Sequence, residues 1–283
     1  MKRRRCALRT FPAVLIILLC SCRADTGPSA LKILLSNDDG IEAPGLAALF
    51  EKLSPLGQVT VAAPAKNYSG ASHSIATEVP IRVTEFVAKG KRWYAIDALP
   101  ATCVRFALEN LLAEKPDLVI SGINRGDNTG VITFYSSTVA GAREAAFAGI
   151  PALAVHLEKG ETADYDNAAS FIAQLVKEVG KKGLKPGVFL NVNIPALSKD
   201  KIKGVKITKQ DLRSSIEFYE KRTDAEGEVY YWPGYKRLAP ANEKTDIWAL
   251  RNGYISITPF QFDQTAHAEL KTLESWAIMK WKE

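Results

Sequence analysis

The stretch Leu31-Lys-Ile-Leu-Leu-Ser-Asn-Asp-Asp-Gly40 decides the fold. Its mainly apolar start, Leu31 to Leu35, reads as a buried strand, and Gly40 reads as the turn that ends it. The adjacent carboxylates of Asp38 and Asp39 then fall at the strand's carboxyl end, where open α/β sheets place their ligands. Like charges about 4 Å apart repel by roughly 4 kcal/mol at an effective dielectric of 20, and a divalent cation between them reverses that sign. The tetrapeptide alone leaves two readings open. It is either a cation site or a polar turn whose Asp side chains bond the backbone.

Outward from this strand, apolar runs alternate with helical patterns. Pro44–Leu53 reads as a helix with proline in its first turn, and Val59–Ala63 as a strand closed by Pro64. Val79–Val87 and Trp93–Ile96 read as strands around the Gly90 turn. Ala101–Leu112 is helical, Asp117–Ile120 a strand, Thr138–Ala148 a helix of small residues and Pro151–His156 a strand. Asn167–Val179 is an amphipathic helix and Gly187–Val192 another strand. Strands separated by helices of this length predict an α/β fold: a Rossmann-like, mainly parallel sheet with helices on both faces. After about Pro195 the pattern changes. Tyr230-Tyr-Trp232 before Pro233-Gly234 predicts an exposed aromatic hairpin within a protruding region of about 200–260, suited to an oligomer contact or to a local cap. Gly253–Pro259 is a further strand, and a last helix is expected over Thr265–Trp281.

The first residues read as an export signal rather than as part of the fold. Lys2, Arg3, Arg4, Arg5 and Arg9 precede the apolar run Phe11–Cys20, which is too short to span a bilayer as a helix. Leu19-Cys20-Ser21-Cys22 resembles a bacterial lipobox, which implies cleavage before Cys22 and acylation of its thiol. Several acyl chains together anchor a protein where one holds it only marginally. The expected organisation is therefore a signal over 1–22, a tether over 23–30 and a single domain over 31–283. The location is then the periplasm or cell envelope, with secretion without a lipid, or a cytoplasmic chain, as the alternatives. Residues 1–22 hold five basic and no acidic residues, so the net charge of +6 falls to +1 for the rest. A basic patch for a nucleic-acid polymer is thus poorly supported. Of four cysteines, Cys103 alone would survive without modification, in an apolar helical pattern that makes it a small core residue.

Three more loops follow strands and could meet the Asp pair. Ala63-Pro-Ala-Lys-Asn-Tyr-Ser-Gly-Ala-Ser72 is rich in small and hydroxyl residues. Ser121-Gly-Ile-Asn-Arg-Gly-Asp-Asn-Thr-Gly130 has glycines that allow close backbone approach to an anion. Tyr135-Ser-Ser-Thr-Val139 enters a helix whose first N–H groups favour phosphate. Carboxylate, hydroxyl and amide oxygens suit hard cations such as Mg²⁺ or Mn²⁺, and no Cys/His cluster of the kind zinc prefers is present. The three histidines, His73, His156 and His267, are scattered. His156, at a strand end, reads as satisfied by local hydrogen bonds rather than as catalytic. No Gly-x-Ser-x-Gly elbow supports a serine hydrolase, and no Gly-x-Gly-x-x-Gly follows the first strand to support a nicotinamide site.

Together these residues resemble the SurE (survival protein) nucleotidase family. The likeness runs through Ile33-Leu-Leu-Ser-Asn-Asp-Asp-Gly-Ile-Glu-Ala-Pro-Gly45, Ser69-Gly-Ala-Ser72, Ser121-Gly-Ile-Asn124 with Gly126 and Asn128, and Tyr135-Ser-Ser-Thr-Val139. It continues through Tyr230-Tyr-Trp232, Thr245-Asp246, Gly253-Tyr-Ile-Ser-Ile-Thr-Pro259 and His267, in order over nearly all of 31–281. The resemblance implies a Rossmann-like core, a divalent metal, phosphatase activity on nucleoside monophosphates, and dimers or tetramers built by exchanging C-terminal segments. It assigns the metal to Asp38, Asp39, Ser69 and Asn124. The two aspartates are also the candidates for any nucleophile or base, and Asn128, Ser136 and Thr138 are expected to hold the phosphate. Ser137 departs from the family, which usually has Gly there; if that position needs φ > 0, serine strains the phosphate loop. The export signal is a second departure. Two rivals accompany this reading: an exported lipoprotein that captures a nucleotide or anion without turnover, and a broader phosphomonoesterase or exopolyphosphatase.

Overall fold

In a computed structural model of the chain, residues 30–213, 216–236, 242–276 and 278 are described. The expected export signal over 1–22, and the tether over 23–30 apart from Ala30, lie outside the described residues. Among the described residues no helix is long and apolar enough to cross a membrane.

The first strand, β1 (Leu31–Ser36), is followed by helix α1 (Pro44–Leu53) and β2 (Gly57–Pro64). Then come β3 (Val83–Ala88), β4 (Lys91–Ile96), α2 (Pro100–Asn110), β5 (Leu118–Arg125), α3 (Ser137–Phe147), β6 (Ala152–Leu157), α4 (Tyr165–Lys182) and β7 (Val188–Ile194). The C-terminal part holds β8 (Val205–Ile207), β9 (Ile216–Thr223), β10 (Val229–Lys236), α5 (Asp246–Arg251), β11 (Ile255–Gln261) and α6 (Leu270–Glu274). Nine strands form one sheet in the order β3-β4-β2-β1-β5-β6-β7-β11-β8. The run from β4 to β7 is parallel throughout, and β3 and β11 are antiparallel to their neighbours β4 and β7. The mainly parallel sheet that the alternation predicts is the sheet observed.

Neighbouring residues of the same strand serve opposite faces, as the pleat demands. Leu35, Val61, Ile120 and Val155 pack with Leu46 and Leu49 of α1 and Ile172 and Val176 of α4. Leu34, Ala62, Val119 and Ala154 pack with Cys103 and Val104 of α2 and Val139 and Ala142 of α3 on the other side. Burial of each large aliphatic side chain contributes about 1.5–3 kcal/mol, so the two faces together hold the central strands rigidly.

The connections fix where a ligand can sit. From β1 the chain passes through α1 to β2 on one side, and later returns to β5 on the other. The crevice beyond the carboxyl ends of β1 and β5 is therefore a topological switch point. Both flanking helices approach β5 closely. A Cβ on Gly45 of α1 would lie 2.2 Å from the Ile123 carbonyl oxygen, and one on Gly141 of α3 would lie 2.7 Å from Ser121 Oγ.

The C-terminal expectations are refined. β9 and β10 form a separate antiparallel hairpin, and Tyr231 and Trp232 are mostly exposed on it. The rest of the region does not stand apart with the hairpin. β8 and β11 join the main sheet, and α5 packs on β7 and β11. The helix expected over Thr265–Trp281 is shorter: a 3-10 turn at His267–Glu269 leads into the five-residue α6. Leu270, Leu273 and Trp276 are exposed there, so no packed face supports extension of a helix that is marginal by itself. Residues 277 and 279–283 lie outside the described residues.

Candidate active site

Asn37, not the aspartates, closes the turn after β1. Its Nδ2 donates to the Gly40 carbonyl at 2.7 Å and its Oδ1 accepts the Gly40 N–H at 3.3 Å. Gly40 adopts φ +105°, and a Cβ there would press on the Lys66 backbone, so the turn needs glycine. The Asp pair is thereby left to reach across the sheet. Asp38 is 3% exposed, and its Oδ1 accepts the Thr138 hydroxyl at 2.6 Å. Burial pushes its carboxyl up to about 6. The Thr138 donation opposes that shift, and the neighbouring charge of Asp39 adds to it. Asp39 Oδ2 accepts the Arg125 N–H at 2.9 Å, and its Oδ1 accepts Asn67 Nδ2 at 3.3 Å.

The other expected residues arrive from neighbouring strand ends. The loop after β2 is tied to the Asp pair because the Tyr68 N–H donates to the Asp38 carbonyl at 2.8 Å, which brings Ser69 alongside. Asn124 lies near the end of β5, after a register shift against β6 between Ser121 and Asn124. Its Nδ2 donates to the Gly126 carbonyl at 2.7 Å, which fixes the amide plane and leaves Oδ1 as an acceptor with no donor among the described residues. Ser136 caps α3, its Oγ accepting the Val139 N–H at 3.1 Å.

A cavity of about 390 Å³ opens where these loops meet. Asp38, Ser69, Asn124, Asn128 and Ser136 line it, and so do Arg125, Asp127, Tyr135, Glu158 and Lys159. Five of the seven expected site residues therefore share one cavity. Asp39 lies beside it, through its bond to Arg125, and Thr138 stands behind Asp38 with its hydroxyl directed onto that carboxylate. A larger cleft of about 490 Å³, lined by Phe50, Gln58, Lys91 and Tyr94 among others, contains no carboxylate, so the smaller cavity is the chemically equipped one.

Ser137 is the first residue of α3, and its backbone is not left-handed, so the strain anticipated for a serine there does not arise. His156 is fully buried and bonded through both ring nitrogens. Nδ1 meets Asn128 Nδ2 at 2.8 Å and Nε2 meets Asn191 Oδ1 at 2.8 Å. Asn191 and Asn193 Nδ2 both donate to the Asn128 carbonyl, and Asn193 Oδ1 accepts the Asn128 N–H at 2.8 Å. With Asn191 Oδ1 as the acceptor, this network sets the neutral Nε2–H tautomer. Burial lowers the His156 pKa to about 4. Sequence reasoning misses the Asn191/Asn193 support of Asn128. Its only trace in the sequence is two amides alternating on one face of the buried strand β7.

The donor set fits a hard divalent cation. Among the described residues no group of three or more His, Cys, Asp or Glu gathers, so a zinc-type cluster is absent. Two carboxylates with a hydroxyl and an amide oxygen suit Mg²⁺ or Mn²⁺, with coordination positions left over for water and phosphate. The strongest local sign is Asp38 itself. A buried carboxylate held by the Thr138 hydroxyl and by backbone N–H groups, with no basic partner, is poorly neutralised, and a cation corrects that.

Comparison with known proteins identifies the family. The family model described as "Survival protein SurE" matches residues 33–217. The 5'-nucleotidase SurE of Geobacter sulfurreducens is 43% identical over 250 residues, spanning 88% of this chain and 94% of that protein. That of Syntrophobacter fumaroxidans is 40% identical over 250 residues, spanning 88% of this chain and 100% of its own. The crystal structure of the SurE protein from Aquifex aeolicus superposes with a TM-score of 0.77 at 38% identity, covering 86% of this chain and 98% of that one. The matched family model, the full-length relatives and the shared fold lead to one conclusion: the chain belongs to the SurE family.

Proposed function

We propose that the protein is a divalent-metal-dependent phosphatase that hydrolyses nucleoside monophosphates to nucleoside and phosphate, of the 5'-nucleotidase type. The observation that carries this reading is the buried Asp38 carboxylate, held by Thr138 at the β1/β5 switch point and lining a cavity of oxygen donors. The names of the relatives support the substrate class.

Asp38, Asp39, Ser69 and Asn124 would hold Mg²⁺ or Mn²⁺. When bound, such an ion neutralises phosphoryl oxygens and acidifies water, as phosphate-monoester hydrolysis requires. The rest falls to the chain. The Thr138 hydroxyl keeps one Asp38 oxygen fixed, so the other is presented in one orientation. Asn128, held rigid by His156, Asn191 and Asn193, and Ser136 at the N-terminus of α3 orient the phosphate. The exposed aromatics of β9 and β10 support a homodimer or tetramer through the C-terminal region. The basic, apolar and cysteine pattern of 1–22 supports export and acylation at Cys22, which the mass of the mature N-terminus tests.

Purified protein incubated with adenosine monophosphate and Mn²⁺ should release phosphate, and chelator should stop the release. Tight nucleotide binding with no release supports the non-catalytic rival. Preference for polyphosphate over adenosine, guanosine and uridine monophosphates supports the broader hydrolase.

A further inference from the structure

Three consecutive hydroxyls enter α3, and each has a different partner. Ser136 Oγ accepts the Val139 N–H, and Thr138 Oγ1 donates to Asp38. Ser137, wholly buried, turns the other way. Its Oγ accepts the Ala71 N–H at 3.0 Å and donates to the Tyr68 carbonyl at 2.9 Å. Those two backbone groups flank Ser69 and Gly70. A glycine at 137 would offer neither bond, and the Tyr68–Ala71 turn would then be held only from its flanks, by the Tyr68 N–H on the Asp38 carbonyl and by the bonds of Ser72 and His73 to Phe134, Tyr135 and Glu144.

We propose that Ser137 is a positioning residue: it clamps the Tyr68–Ala71 turn to the first residue of α3 and so sets the Ser69 hydroxyl against Asp38. The assignment rests on the cation reading above. The geometry favours it because one hydroxyl serves both sides of the turn, and because the same three-residue stretch fixes Asp38 through Thr138. Ser69 and Asp38, 31 positions apart in sequence, are thereby indexed to one helix end. Gly70 adopts φ +76°, and even a Cβ placed on it would meet nothing within 4 Å, so it brings no packing of its own to hold the turn. A turn ordered before the cation arrives lowers the ordering cost of binding.

The test uses Ser137→Ala in the full chain, with Ser137→Gly as a second variant, and reads three quantities. Hydrogen exchange at the Ala71 amide should accelerate. The Mn²⁺ dissociation constant should rise by about fivefold to tenfold, a part of what the two lost hydrogen bonds contribute. The same substitution in a Ser69→Ala background should cost almost nothing further, because the clamp acts through Ser69. Equal losses in both backgrounds, or unchanged Ala71 exchange, overturn the proposal. Wild-type protein that binds no Mn²⁺ overturns the cation reading itself, while Ala71 exchange still reports whether the clamp exists.

Discussion

The Thr138 hydroxyl donates to Asp38 Oδ1 at 2.6 Å, joining two residues 100 positions apart at the base of the cavity. Asp38 follows the first strand and Thr138 lies in the first turn of α3, so this bond registers the helix against the sheet. A hydrogen bond to a charged group contributes about 1.5–3 kcal/mol. Thr138→Val keeps the shape and removes the donor. It should lower kcat/KM for adenosine monophosphate by about tenfold to a hundredfold with a modest fall in Tm. Steady-state kinetics beside thermal melts check this, and unchanged kcat/KM would leave Thr138 without its assigned part.

Cation affinity should depend on pH through Asp38. Its folded pKa, raised to about 6 by burial, means the proton and the cation compete for the same oxygens. Mn²⁺ affinity should be flat above pH 7 and fall by about tenfold per pH unit below 6. In the metal-free fold, the raised carboxyl pKa stabilises the protein most fully below its unfolded value near 3.8, and that contribution is lost as pH rises through 6. Calorimetric Mn²⁺ titrations at pH 5, 6 and 7.5 check the affinity profile, and an affinity that stays level between pH 6 and 5 would contradict it.

His156 should act in the opposite direction. Its pKa is lowered from 6.5 to about 4, so it contributes stability above pH 6.5 that is lost as pH falls towards 4. The full swing is about 3 kcal/mol, from the shift at 1.36 kcal/mol per unit. His156→Gln should flatten the acid limb of the stability curve relative to wild type. Chemical denaturation of both proteins at pH 4.5 and 7 measures it; parallel curves would show that His156 is not the titrating group.

Gly45 should not tolerate a methyl group. The added Cβ would sit 2.2 Å from the Ile123 carbonyl oxygen, which is backbone and cannot swing aside. Gly45→Ala should therefore push α1 away from β5, next to Asn124, at a cost of about 1–3 kcal/mol. Gain of helix propensity works against that cost by less than about 1 kcal/mol. A lower denaturation midpoint with reduced Mn²⁺ affinity is expected, and a variant as stable as wild type would contradict the close packing.

Much of this site is legible in the sequence for a simple physical reason. Asn37-Asp38-Asp39-Gly40 follows β1 and Ser121-Gly-Ile-Asn124 forms the last part of β5, and in a parallel sheet the carboxyl ends of such strands share one edge. The bond partners are not legible, because they join distant segments: Thr138 to Asp38, Ser137 to Tyr68 and Ala71, Asn128 to Asn191 and Asn193. The elements that the sequence pattern hides are short. β8 has three residues and α5 six, and each is held by tertiary partners rather than by periodicity. The long terminal helix misleads for the converse reason, since Leu270, Leu273 and Trp276 suggest a packed face that nothing in the described chain covers.

Manganese soaked into crystals of the protein tests the central claim most directly. The expected result is an anomalous peak coordinated by carboxylate oxygens of Asp38 and Asp39, with Ser69 Oγ and Asn124 Oδ1 completing the protein ligands. A map with no peak there, or with manganese bound only at other carboxylates, would contradict it.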